Sequence, residues 1–217
     1  MENKTEAARL IENYDHEFTR EVDWFSVHIY LLFTELCDIQ NAMYIFETIE
    51  NEWNRRKENG IEIKYSVIRT ILFEALPYKI VLGLSKILIG KKEFSLLRTV
   101  NKVSQMDEFK NNSTIIEIIT EIQNHLATSD LVKAIAVLRD QFFAHLDKTS
   151  ALSDCRVSST FAVKNIDKHK IDEVIKLVRK LYEACFGTVL EYPRKDLAAD
   201  EIIYTFFWMS GNLQYNR

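Results

Sequence analysis

One stretch of the chain, residues 21–57, contains neither glycine nor proline. Apolar residues recur within it at spacings of three and four, the period of an α-helix with a buried face. They are Phe25, Ile29, Leu32, Leu36, Ile39, Met43 and Phe46, with Trp24, Val27, Leu31, Ile45, Ile49 and Trp53 beside them. We therefore predict a long helix that is buried on two sides and ends at Asn59 and Gly60.

The rest of the chain continues in the same manner. It has only 5 Gly and 2 Pro in 217 residues, with 47% hydrophobic and 28% charged residues, a balance typical of packed helices. Helical periodicity predicts further helices over residues 65–89, 95–103, 114–127, from 130 onward, 168–190 and 196–209, and an irregular loop over 148–165. The expected fold is all-α, an antiparallel helical bundle with an irregular loop after the helix that begins near residue 130. We predict one domain over residues 1–217, with the bundle core in 20–192 and a C-terminal helix and tail in 196–217.

Particular residues predict where these helices begin and end. Pro77 should kink or split its helix, because the ring removes a backbone donor. Polar side chains predict the helix starts, and glycine or proline predicts the ends. The predicted starts are Ser95, Thr114 with Glu117 as a capping box, Ser129 or Asp130, Asp167 and Asp196, and the predicted ends are Gly90 and Pro193.

Charge and cysteine content limit the classes of partner. The net charge is −4, so the chain as a whole has no attraction for nucleic acid or an anionic membrane, and any RNA contact must be local. Cys37, Cys155 and Cys185 are widely spaced and odd in number, which argues against a disulfide framework and a zinc site. The most apolar windows, 25–33, 80–88 and 202–209, are far shorter than the roughly 20 residues of a spanning helix. We expect a cytoplasmic protein without a membrane contact.

The sequence lacks several common motifs for phosphate and metal binding. No phosphate-binding glycine-rich loop and no H-E-x-x-H metal motif occur. Glu121 and His125 have helical spacing but no second copy, as a di-metal bundle would need, so we interpret them as a solvated helix face. We expect neither a metal nor a cofactor.

The most informative string is residues 139–148, Arg-Asp-Gln-Phe-Phe-Ala-His-Leu-Asp-Lys, near the C-terminal end of a strongly apolar helix. It resembles the signature of the HEPN superfamily, in which an arginine is followed after four to six residues by a histidine, with a polar residue directly after the arginine. The fuller string, with residues 82–88 and 94–97 upstream, is similar to the abortive-infection (AbiU-like) branch. The bare spacing also occurs at Arg9 and His16, but Leu10 follows that arginine and the pair lies outside any core helix.

The resemblance implies metal-independent RNA cleavage in a phage-defence or toxin system, at a cleft formed by a homodimer. In this reading His145 transfers a proton, because its unperturbed pKa lies near working pH, and Arg139 stabilises charge on the phosphate. Asp140 orients Arg139 or the histidine. Lys148 and Lys133 are the nearest candidates for contact with the RNA backbone.

Two other interpretations of the chain's function remain open. In one, the chain is a non-catalytic helical interaction module, such as the partner of a nucleotidyltransferase-type antitoxin, and the motif shapes an interface. In the other, the bundle has an unrelated role and the motif residues are ordinary surface charges and a core histidine.

Overall fold

The structure is a computed structural model that describes residues 21–61, 75–90, 94–146, 163, 166–192 and 199–209. For residues 21–23, 141–146 and 206–209 the description covers the backbone alone. The described residues form seven helices and no strand, which confirms the predicted all-α fold. The helices are α1 (Glu21–Glu58), α2 (Leu76–Leu88), α3 (Leu96–Val103), α4 (Ser113–Thr128), α5 (Asp130–Leu146), α6 (Lys168–Phe186) and α7 (Ala199–Met209).

Helix α1 is the central element. At 38 residues it is about 57 Å long, and it packs against α2, α6 and α7. The predicted stripe is buried along its whole length, and Phe33 and Ile49 are buried with it, which confirms burial on more than one side. The helix ends as predicted: Asn59 donates its side-chain amide to the Arg55 carbonyl, and Gly60 adopts a positive φ of 68°.

Helix α2 is described from Leu76, so the kink or split predicted at Pro77 is not tested. Pro77 lies in its first turn, where the missing backbone donor costs nothing, while residues 62–74 lie outside the described part of the chain. At Gly83 a Cβ atom would lie 2.6 Å from Ile39 Cδ1, so glycine permits the close approach of α2 to α1. The prediction that Gly90 is the C-cap of this helix is wrong, because Ile89 is the C-cap. Gly90 follows it at a position where a Cβ atom would lie only 2.3 Å from the Lys86 carbonyl oxygen.

The next three helices follow one another with short connections. Ser95 caps α3 by accepting from the Arg98 N–H, as predicted. The predicted capping box at Thr114 and Glu117 is wrong, because Asn112 accepts from the Ile115 N–H and α4 begins one residue before Thr114. Ser129 accepts from the Leu131 N–H at 3.2 Å at the start of α5.

Helix α6 starts at its predicted cap, where Asp167 accepts from the His169 N–H at 2.9 Å. It ends at Phe186, four residues before the predicted end, because Gly187 takes the left-handed conformation (φ 67°). The last helix is described over Ala199–Met209, and its predicted start at Asp196 lies, with Pro193, outside the described residues.

Cross-helix contacts give the direction of α6. Lys168 pairs with Glu47, Gln40 with Asp172, and Arg179 lies over the Phe33 ring, so residue numbers rise on α6 as they fall on α1. Contacts to α4 follow the same order, with Glu173 near His125 and Lys180 near Glu121. Helix α6 therefore runs antiparallel to both α1 and α4.

A single hydrophobic cluster joins residues from all seven helices. Cys37 is buried and Cys185 is half-buried, and burial raises the pKa of the Cys185 thiol to about 12. Cys155 and most of the predicted loop, 148–165, lie outside the described residues, although Val163 is buried. Among the helices that the structure describes, none is both long enough and apolar enough to cross a membrane.

Candidate functional site

The motif lies on α5, a helix that packs against α2 through one face. Leu131 and Ile135 anchor that face and are buried, and Leu138 packs partly against the core. Val137, on the other side, is 55% exposed. Arg139, Asp140 and His145 occupy the last two turns of this unbroken helix, so their spacing along the chain fixes the spacing of their backbones.

Arg139 and Asp140 form an ion pair. The Arg139 Nε donates to Asp140 Oδ1 at 2.8 Å, and Nη2 of the same guanidinium lies 2.7 Å from that oxygen. The Arg139 side chain is 34% exposed and the Asp140 side chain 69% exposed. A pair this exposed is worth about 0–1 kcal/mol, and the outer N–H groups of the guanidinium remain available to a phosphate.

The pair also fixes which way Arg139 points. At 100° per residue, Asp140 lies about 100° from Arg139 around the helix axis in one direction, and His145 lies about 120° from it in the other. His145 is also about 9 Å farther along the axis. The guanidinium therefore lies on the Asp140 side of α5, away from the backbone position of His145.

The remaining predicted site residues are dispersed or outside the description. The side chain of His145 and the whole of Lys148 lie outside the described residues. Lys133 is exposed, and its Nζ lies 3.3 Å from Asp130 Oδ1. It precedes His145 by about 18 Å along the helix, so one RNA strand reaches both only if it runs along α5.

The interpretation of His125 as part of a solvated face is wrong. Its side chain is only 20% exposed, because α6 covers it, and its Nδ1 lies 4.0 Å from Glu173 Oε2. The buried Nε2 atom has no hydrogen-bond partner within the described residues. Glu121 is exposed and pairs with Lys180 at 3.5 Å. Within those ranges no group of three or more His, Cys, Asp or Glu side chains is placed to hold a metal ion.

The sequence did not predict a second polar region. It is a cleft between α1 and α6, which we call the α1–α6 cleft and define by Gln40, Asn41, Asp172, Lys176, Arg179 and Tyr192. The hydrogen bonds across it join residues 132 and 151 positions apart, so no local pattern signals it. Helical periodicity alone indicated only that α1 and α6 each have a polar face.

Comparison of the chain with protein-family models, with curated proteins and with solved structures gives no match.

Proposed function

We propose that this chain is a metal-independent endoribonuclease of a phage-defence or toxin system that acts on RNA in the cytoplasm. The observation that carries the proposal is the placement of Arg139, Asp140 and His145 on one continuous helix, together with guanidinium donors that Asp140 leaves available. Because the whole chain carries a net charge of −4, attraction of a phosphate depends on a local cation, here Arg139.

The reaction uses groups that the string supplies. A neutral imidazole of His145 accepts the proton of a ribose 2′-hydroxyl, whose oxygen attacks the adjacent phosphorus. The bond from phosphorus to the 5′-oxygen breaks, and an imidazolium returns a proton to that oxygen. The products are a cyclic phosphate and a 5′-hydroxyl. Arg139 donates hydrogen bonds to the phosphate oxygens as negative charge builds up on them, and Asp140 is a positioning residue for Arg139.

A homodimer across this helix would place two copies of the motif around one cleft. Arg139 is turned toward Asp140, so it could meet a phosphate held between the two copies. Two copies of the imidazole in one cleft would also divide the two proton transfers between them. The proposed active form is therefore a two-fold dimer across α5.

The direct test is cleavage of a mixed RNA pool by the purified full chain in excess EDTA. Wild type is compared with His145→Ala and with two control variants, His169→Ala, which alters an exposed histidine of α6, and His16→Ala, which alters the second copy of the bare spacing. We expect cleavage by wild type and both controls and none by His145→Ala. Circular dichroism establishes that every variant is folded, and retained cleavage in a folded His145→Ala preparation contradicts the proposal.

A second candidate function is a non-catalytic interaction module, such as the partner of a nucleotidyltransferase-type antitoxin. The observation that favours it is the pairing of Arg139 with Asp140 beside the exposed Val137, an arrangement that suits a protein interface. Analytical ultracentrifugation of wild type and Val137→Asp distinguishes the two functions when it is run beside the RNA assay. Self-association that Val137→Asp abolishes, with no cleavage at any protein concentration, supports the module.

A further inference from the structure

The α1–α6 cleft encloses a volume of about 300 Å³. Its edge is formed by Tyr192, in the segment after α6, whose hydroxyl donates to Asp38 Oδ1 at 2.5 Å and accepts from Asn41 Nδ2 at 3.3 Å. Two buried side chains, Cys37 and Ile175, form an apolar floor. The volume lies at the lower end of the range of ligand pockets, about 300–1,000 Å³, so the cleft suits a small molecule.

One side of the cleft carries cations that lack a carboxylate partner. Helix α6 contains five Lys and Arg residues. Three of them pair with a carboxylate on another helix: Lys168 with Glu47, Lys170 with Asp130 and Lys180 with Glu121. The other two, Lys176 and Arg179, line the cleft, and neither has an ion pair within the described part of the chain. In a protein of net charge −4, two cations left side by side favour an anionic group.

Hydrogen-bond acceptors in the cleft come from both helices, Gln40 and Asn41 from α1 and Asp172 from α6. Gln40 donates its amide to Asp172, and Asn41 donates its amide to Tyr192. The amide carbonyl oxygens of Gln40 and Asn41 accept no hydrogen bond from any described residue. Together with the Asp172 carboxylate they form a group of acceptors suited to a protonated amine.

We propose that the α1–α6 cleft binds a small zwitterion, with its anionic group at Lys176 and Arg179 and its protonated amine at Asp172 and the amide carbonyls of Gln40 and Asn41. The guanidinium of Arg179 gives the anion two parallel donors, and its contact with the Phe33 ring, 5.4 Å from the centroid, limits its freedom. The apolar floor accommodates a short carbon skeleton. An amino acid and a phosphorylated amine both have this chemistry.

The test is isothermal titration calorimetry of the full chain with single amino acids and with O-phosphoethanolamine. Propionate and ethylamine serve as probes that carry only one of the two charges. We expect a zwitterion to bind and both single-charge probes to bind at least about tenfold more weakly, because a charge-assisted hydrogen bond is worth about 1.5–3 kcal/mol. Binding by amino acids alone identifies a carboxylate ligand, and binding by O-phosphoethanolamine alone identifies a phosphate ligand.

Three variants locate the binding. Asp172→Asn keeps an acceptor for Gln40 but removes the charge, and Lys176→Gln removes an exposed cation, so both should fold and both should weaken binding by about tenfold or more. The control is Lys180→Gln, which alters a lysine of the same helix that pairs with Glu121 outside the cleft. The proposal is overturned if no zwitterion binds, if propionate binds as tightly as the zwitterion, or if Asp172→Asn leaves the affinity unchanged.

Discussion

The end of α5 and the α1–α6 cleft each place an arginine near an aspartate, with different results. At the end of α5, Arg139 binds the carboxylate of the next residue, Asp140, at 2.7 Å. In the cleft, Arg179 has no carboxylate partner in the described part of the chain, and Asp172 instead accepts from Gln40. Arg139 is paired with its sequence neighbour before any ligand arrives, whereas Asp172 and Arg179, seven residues apart on α6, form no ion pair with each other and leave an anion and a cation for a ligand to join. Access to an anion therefore differs between the two regions, and substitutions can test the difference.

The largest expected effect is at Arg139. Arg139→Ala removes the donors that stabilise the phosphate in the transition state, and we expect RNA cleavage to fall by about 10²–10³. Arg139→Lys should recover only part of it, because lysine lacks the planar fork. Single-turnover cleavage rates measure both, and Arg179→Lys is the matched control that should leave the rate unchanged. Equal losses from substitutions at Arg139 and Arg179 would remove the distinction between the two regions.

The position of α5, which carries the motif, depends on the packing of α2 against α1 at Gly83. Helix α5 rests on α2, and α2 approaches α1 at this glycine, where a Cβ would meet the fully buried Ile39 at 2.6 Å. We expect Gly83→Ala to lower the free energy of unfolding by up to about 2 kcal/mol, because overpacking costs about 1–3 kcal/mol and the gain in helix propensity offsets roughly 1 kcal/mol of it. Urea denaturation measures it, and a stabilised Gly83→Ala protein would mean that α1 and α2 do not need this close approach.

The stability that Tyr192 contributes at the edge of the cleft should depend on pH. Burial, followed by the hydrogen bond to Asp38, raises the pKa of Tyr192 to about 12. The folded state therefore holds this proton more tightly than the unfolded chain, whose tyrosines titrate near about pH 10. The resulting stability is complete below that pH and is lost as the pH rises toward 12. We expect Tyr192→Phe to cost about 1 kcal/mol at neutral pH. The difference from wild type in urea denaturation should shrink above about pH 10, and a constant difference would contradict it.

The smallest expected effect is at Asp140. Asp140→Asn frees Arg139 from its ion pair and removes a negative charge near the phosphate, so RNA binding at low salt should tighten by about two- to fivefold. Fluorescence anisotropy with a labelled RNA measures it. The control is Glu117→Gln, which removes an exposed carboxylate of α4 away from the motif. An equal gain from both variants would reflect net charge alone and not the Arg139 pair.

The sequence predicted what depends on neighbouring residues. The helix content, the caps at Ser95 and Asp167, the end of α1 at Gly60 and the location of the motif late in α5 all follow from short-range patterns. Where two local signals competed, the choice failed: Asn112 caps α4 instead of Thr114, and Gly187 ends α6 before Pro193 is reached.

What could not be predicted depends on contacts between distant segments. The sequence predicts a solvated His125, because nothing in its own helix indicates that α6 covers it. The α1–α6 cleft combines residues near positions 40, 175 and 192, and only the folded chain brings them together. The sequence left the direction of Arg139 open for a different reason, because the positions of Asp140 and His145 lie on either side of it around the helix.

The central claim is that RNA is cleaved by attack of its own 2′-hydroxyl at a site containing His145. The most direct measurement compares an RNA that wild type cleaves with the same sequence carrying 2′-O-methyl groups, in excess EDTA, with the product ends determined by mass spectrometry. The account predicts cyclic-phosphate and 5′-hydroxyl ends from the RNA and no products from the methylated strand or from His145→Ala. Cleavage of the methylated strand, or 5′-phosphate ends, would contradict it.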